Sequence, residues 1–119
     1  MILAALSGFV AVAAGAFGAH GAADLQAKGW LTTGAHYQMV HALAVFACAH
    51  LRRSGVRGAA IAAWLFLGGS LLFAGSLYAL ALGGPRSLGA AAPIGGLLLL
   101  AGWAALAWSA YAGTRSRPD

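Results

Sequence analysis

Residues 29–51 read GWLTTGAHYQMVHALAVFACAHL, an uncharged run held between Lys28 and Arg52. A helix needs about 20 residues to cross the hydrocarbon of a bilayer, and this run reaches that length. Inside it stand Tyr37-Gln38-Met39-Val40-His41. A tyrosine and a histidine one helical turn apart, set among apolar residues, need hydrogen-bond partners or a purpose.

Cutting the rest of the chain at its charges leaves three more apolar segments, 1–23, 58–85 and 87–114. Each is long enough to span, and in lipid every backbone N–H and C=O must be paired internally, so uninterrupted runs of this kind form helices. No period-2 alternation supports a barrel. The fold class that follows is all-α, an integral membrane up-down-up-down four-helix bundle forming a single domain over 1–119. Its helices are predicted at about 2–20, 31–51, 58–82 and 90–112. A short interfacial segment at 22–30 would carry an Asp24–Lys28 pair and Trp30 at headgroup level. Pro93 falls in the first turn of the fourth helix, where it breaks nothing.

Composition agrees. The chain has 119 residues, of which 61% are hydrophobic and 8% charged, too few charges to cover a soluble surface. The net charge of +5 comes from basic residues at the ends of apolar runs, with no basic face interleaved with aromatics, so nucleic acid is not an expected partner. Cys48 is the only cysteine, which excludes an intrachain disulfide. The first apolar run has no basic residue before it and reads as an uncleaved span rather than a signal peptide. Placing both termini in the cytoplasm puts Arg52, Arg53, Arg57, Arg115 and Arg117 inside and only Lys28 and Arg86 outside, which is the orientation the positive-inside rule favours.

Rows of small residues suggest how the helices pack: Ser7, Ala11, Gly15 and Ala19 on the first, Gly75, Ala79 and Gly83 on the third, Ala101, Ala105, Ser109 and Gly113 on the fourth. With alternating helix directions, the polar positions His20, Tyr37, Gln38, His41, Ser76, Tyr78 and Pro93 are expected to converge in the outer half of the bundle. Tyr37, His41 and Cys48 share one face of the second helix.

Several strings carry a resemblance: Ser7-Gly8-Phe9, Gly15-Ala16-Phe17-Gly18-Ala19-His20, Tyr37-Gln38 with His41-Ala42-Leu43-Ala44, Gly75-Ser76-Leu77-Tyr78, Pro93-Ile94-Gly95-Gly96 and Leu100-Ala101-Gly102-Trp103. Together they resemble a family of small bacterial membrane proteins filed as a domain of unknown function, whose animal relatives are called transmembrane protein 256. The resemblance implies a four-helix protein of the bacterial inner membrane. It also implies that His20, Tyr37, Gln38, His41, Ser76, Tyr78 and Pro93 are the positions to watch, leaving His36 and His50 aside. It implies no activity, substrate or cofactor.

Two readings of the cluster stand side by side. Its residues either hydrogen-bond across helices and set their register, or line a cavity for a lipid or small ligand. A metal site is disfavoured because His36 and His41 lie about 140° apart around a helix and no intramembrane carboxylate assists. A Ser76–His41 hydrolase lacks an orienting carboxylate. No catalytic residue, metal or cofactor is therefore assigned. The function expected is non-enzymatic: binding a lipid or small ligand, or stabilising a partner membrane protein. The alternatives are an oligomeric channel or transporter, and a haem or quinone redox protein. Expected partners are membrane lipids, with a second copy or another membrane protein.

Overall fold

The computed structural model describes residues 1–115. Four α-helices follow one another: α1 (Ile2–His20), α2 (Leu25–Arg53), α3 (Ala59–Ala81) and α4 (Ala91–Arg115), with a 3-10 turn over Arg86–Ala90 leading into α4. Arg117 lies outside the described residues.

The segment expected as a separate interfacial helix is the beginning of α2. Asp24 has extended backbone, and its carboxylate accepts a hydrogen bond from the Ala27 N–H at 2.7 Å, which makes it the N-cap. The Lys28 N–H then reaches the Asp24 carbonyl at 3.0 Å, and no proline interrupts the chain from there to Arg53. A break near Trp30 would leave backbone groups unpaired, whereas continuing the helix pairs them. Asp24 thus serves its own helix start rather than forming a side-chain pair with Lys28.

Side-chain neighbours give the helix directions. A Cβ added at Gly18 would meet Leu31, and one at Gly15 would meet Ala35, so α1 and α2 are antiparallel. Tyr78 lies against Gly34, and Tyr37 against Phe73, giving the same relation for α2 and α3. Phe66 lies on Gly102, and Leu99 on Gly69, giving it again for α3 and α4. The chain therefore runs up-down-up-down. The main interfaces join neighbours in sequence, α1–α2, α2–α3 and α3–α4, with a slight α1–α3 contact.

Burial follows a seven-residue repeat. On α2 seven of the ten buried positions, Ala27, Leu31, Gly34, Gln38, His41, Val45 and Cys48, alternate steps of four and three, with Ala35, Ala42 and Ala44 beside that seam. On α1 the buried positions are Ala4, Ala11 and Gly18. This spacing is the mark of left-handed packing at a small crossing angle. It differs from the rows drawn at every fourth residue: Ala19 and Ala101 are exposed, and a Cβ at Gly75 or Gly113 would meet nothing within 4 Å. Gly95 is the closest crossing, for a Cβ there would fall 2.8 Å from the Gly69 carbonyl oxygen and from the Phe73 Cα. Small residues at such points let backbones meet, and dispersion then holds them together.

α1, α3 and the stretch Arg86–Gly113 are each long and apolar enough to cross a membrane. α2 has the length, at 29 residues, but carries Gln26, Lys28, three histidines and two arginines. Two of its polar side chains, Gln38 and His41, are turned into the protein. The molecule is an all-α membrane bundle with its most polar helix packed between two apolar ones.

Candidate functional site

The heptad seam of α2 aims Gly34, Gln38 and His41 at α3 and α4. Because Gly34 has no side chain, the Tyr78 ring of α3 can lie across it; an added Cβ would come within 2.6 Å of the ring. From there the Tyr78 hydroxyl donates to Gln38 Oε1 at 2.7 Å. One turn further along α2, His41 is 5% exposed, with its ring 5.3 Å from the completely buried Phe66 and 6.0 Å from Trp103.

Both nitrogens of that ring are engaged. His41 Nδ1 lies 2.7 Å from the Tyr37 carbonyl oxygen, and Trp103 Nε1 lies 3.1 Å from His41 Nε2. A carbonyl only accepts and an indole N–H only donates, so Nδ1 carries the proton and Nε2 offers its lone pair. The imidazole is the neutral Nδ1–H tautomer. In this state it has no free lone pair for a metal or a substrate proton, and a second ring proton would face the indole donor head-on.

The site residues expected from sequence divide accordingly. Tyr37, Gln38, His41 and Tyr78 come together. Tyr37 contributes its carbonyl; the residue is 44% exposed, and its ring packs on Phe73 with centroids 4.7 Å apart. Ser76 is buried, but its hydroxyl donates to the Phe73 carbonyl of its own helix at 2.9 Å. His20 is exposed in the last turn of α1. Pro93 is exposed in the first turn of α4. The convergence expected from four helices is therefore built by three. α1 docks on α2 through Gly15 and Gly18, and its end stands clear of the cluster. α4 reaches His41 of α2 through Trp103, about 15 Å along the helix from Pro93.

Trp103, Phe66 and Gly34 are the members that reading the sequence missed. A tryptophan near the middle of an apolar helix was the available signal, since an indole N–H far from the headgroups needs an acceptor. Ser70 was also missed. It is buried, and its hydroxyl has no hydrogen-bond partner among the described residues.

Open space lies elsewhere. A groove of about 660 Å³ runs between the start of α1, the end of α2 and the start of α3, over Ala4, Val45, Cys48, Ala63 and Leu67, with Arg52 and Arg53 at its rim. A second cavity, of about 820 Å³, adjoins Ser54–Gly58 and the end of α4; a third, of about 370 Å³, adjoins Asp24, Trp30 and Leu80 at the opposite end. None of these three is lined by Tyr37, Gln38, His41, Ser76, Tyr78 or Pro93. Among the described residues, no group of three or more His, Cys, Asp or Glu side chains could hold a metal ion.

Residues 14–96 match the family described as Protein of unknown function (DUF423). A UPF0382 membrane protein of Haemophilus influenzae is 44% identical over 116 residues, covering 93% of this chain and 92% of the relative. The UPF0382 inner membrane protein YgdD of Escherichia coli K12 is 45% identical over 112 residues, covering 87% and 82%. The UPF0382 membrane protein YwdK of Bacillus subtilis is 40% identical over 109 residues, covering 87% and 88%. No solved structure matches the chain.

Proposed function

Because the chain belongs to the DUF423 family of bacterial membrane proteins, we propose that it is a non-enzymatic lipid-binding protein of the inner membrane. Its polar cluster is a clamp between helices, and its ligand site is the groove between α1, α2 and α3. One contrast carries this reading. The polar cluster is packed, with both His41 nitrogens engaged, while the apolar groove stands open. A closed, neutral, fully bonded histidine suits setting helix register better than ligation, proton transfer or haem binding. An apolar concavity of several hundred Å³ is the size that takes a small ligand or part of a lipid. The N-in, C-in orientation belongs to the same proposal, and places the groove on the cytoplasmic side.

The test is lipid retention. Protein purified in a mild detergent should carry phospholipid detectable by native mass spectrometry, and Ala63→Trp, which fills the groove, should lower it. Trp103→Phe should lower stability and leave retention alone. Protein free of lipid, or retention that is lost with Trp103→Phe and kept with Ala63→Trp, would overturn the assignment. A C-terminal reporter active only in the periplasm would reverse the orientation.

A further inference from the structure

We infer that the groove selects an anionic phospholipid, with Arg52 and Arg53 holding the headgroup phosphate. The inference rests on the lipid-binding reading and adds the chemistry of the ligand.

Charge is the first ground. Arg52 and Arg53 are exposed, and both line the groove. The one acidic side chain among the described residues, Asp24, caps the far end of α2. A 29-residue helix separates cap from rim, about 43 Å, so Asp24 cannot neutralise the arginines. The C-terminal end of α2 carries about half a negative charge, against two guanidinium charges. Among the described residues no other acidic side chain faces the rim, and most of its positive charge is left for an anion. Guanidinium groups meet phosphate oxygens with paired, charge-assisted hydrogen bonds, and a headgroup at this level also lies where a basic helix end attracts anionic lipid.

The second ground is the shape beneath the rim. From Arg52 back to Val45 is seven residues, about 10 Å of helix, and the walls over that depth are Val45, Cys48, Ala49, Ala63 and Leu67. A soluble anion would gain nothing from these walls, whereas a lipid joins a phosphate to an acyl chain in the same order as the groove joins arginines to an apolar floor. The other large cavity, beside Arg57, has a single helical wall, Trp108, Ser109, Ala110, Ala112 and Gly113 of α4, about 8 Å of helix, facing a turn rather than a second helix.

The experiment uses the delipidated full chain in detergent, titrated with phosphatidylglycerol or phosphatidylcholine of identical acyl chains and read by native mass spectrometry. Phosphatidylglycerol should bind about tenfold more tightly. The double variant Arg52→Gln/Arg53→Gln should remove that preference and keep residual binding of both lipids. Arg57→Gln removes one positive charge outside the groove and should leave the preference intact, whereas Arg52→Gln or Arg53→Gln alone, the same change in net charge, should weaken it. Equal binding of the two lipids by the unaltered protein overturns the inference and leaves the lipid-binding reading standing. Binding of neither overturns both. A preference that survives the double variant, or that falls equally with Arg57→Gln, shows diffuse charge attraction and overturns the headgroup site.

Discussion

The indole N–H of Trp103 donates to His41 Nε2 at 3.1 Å, joining helices whose backbones are each packed mainly on α3. The bond fixes the depth of α4 against α2 and the tautomer of His41 together. Removing the donor leaves a buried ring nitrogen unpartnered, which costs about 1–2 kcal/mol. Trp103→Phe should destabilise the protein by that amount in equilibrium unfolding in mixed micelles, followed by circular dichroism. A double-mutant cycle with His41→Leu should give a coupling of about 0.6–1.7 kcal/mol, the range for interhelical hydrogen bonds in membranes. Strict additivity would show that the two residues do not interact.

Tyr78 and Gln38 make the second bond between helices, at 2.7 Å. Tyr78→Phe keeps the ring over Gly34 and removes only the hydroxyl, so a loss of about 0.5–2 kcal/mol is expected. Gly34→Ala pushes a methyl group into that ring and should cost at least as much. A Tyr78→Phe protein as stable as the parent would mean that Gln38 finds an equally good donor elsewhere.

Glycines at crossings and glycines facing outward should separate cleanly. Gly95→Ala sets a Cβ against the α3 backbone, which cannot rotate away as a side chain can, and should cost about 3 kcal/mol or prevent accumulation. At Gly75 nothing lies within 4 Å, so Gly75→Ala should be neutral or stabilise the single chain by up to about 1 kcal/mol. Unfolding midpoints of the two variants in detergent give the comparison; similar midpoints would contradict the α3–α4 crossing.

The N-cap predicts a local effect. Asp24→Ala removes the acceptor for the Ala27 N–H and should cost about 1 kcal/mol. Amide exchange should quicken over residues 25–30 and stay unchanged around His41. Uniformly faster exchange along α2 would show that its first turns do not open independently.

Both His41 nitrogens being engaged also predicts a colourless protein. No Soret band should appear after purification with added haemin, and Zn²⁺ should not raise the unfolding midpoint. In a background with the exposed His20, His36 and His50 replaced by alanine, either response would require His41 to release Trp103 or Tyr37.

Helix count and membrane class were legible in the sequence, because lipid allows few answers for long uncharged runs. The common level of Gln38 and Tyr78 was also readable, from the alternating helix directions, and the helical period put His41 and Cys48 on one face. Depth on α4 was not, for a physical reason. It depends on where α4 crosses α3, and that point is set by the backbone contact of Gly95 with Gly69 and Phe73, a pairing between helices that no periodicity within one helix reports. Pro93 therefore stood in for Trp103. The continuity of α2 was hidden by Lys28 and Gly29, which resemble a connection, although Asp24 with no proline behind it was the sign of a helix start.

Cys48 is 1% exposed, lies on the floor of the groove, and is the only thiol in the chain. Although the groove is open, the 1% exposure leaves almost none of the residue accessible on its floor, so a maleimide reaches the thiol only when the side chains covering it move apart, and its labelling rate is a clock for that opening, with no engineered cysteine needed. If reclosing is fast compared with alkylation, the rate measures the fraction of time spent open; at saturating reagent it measures the opening step itself.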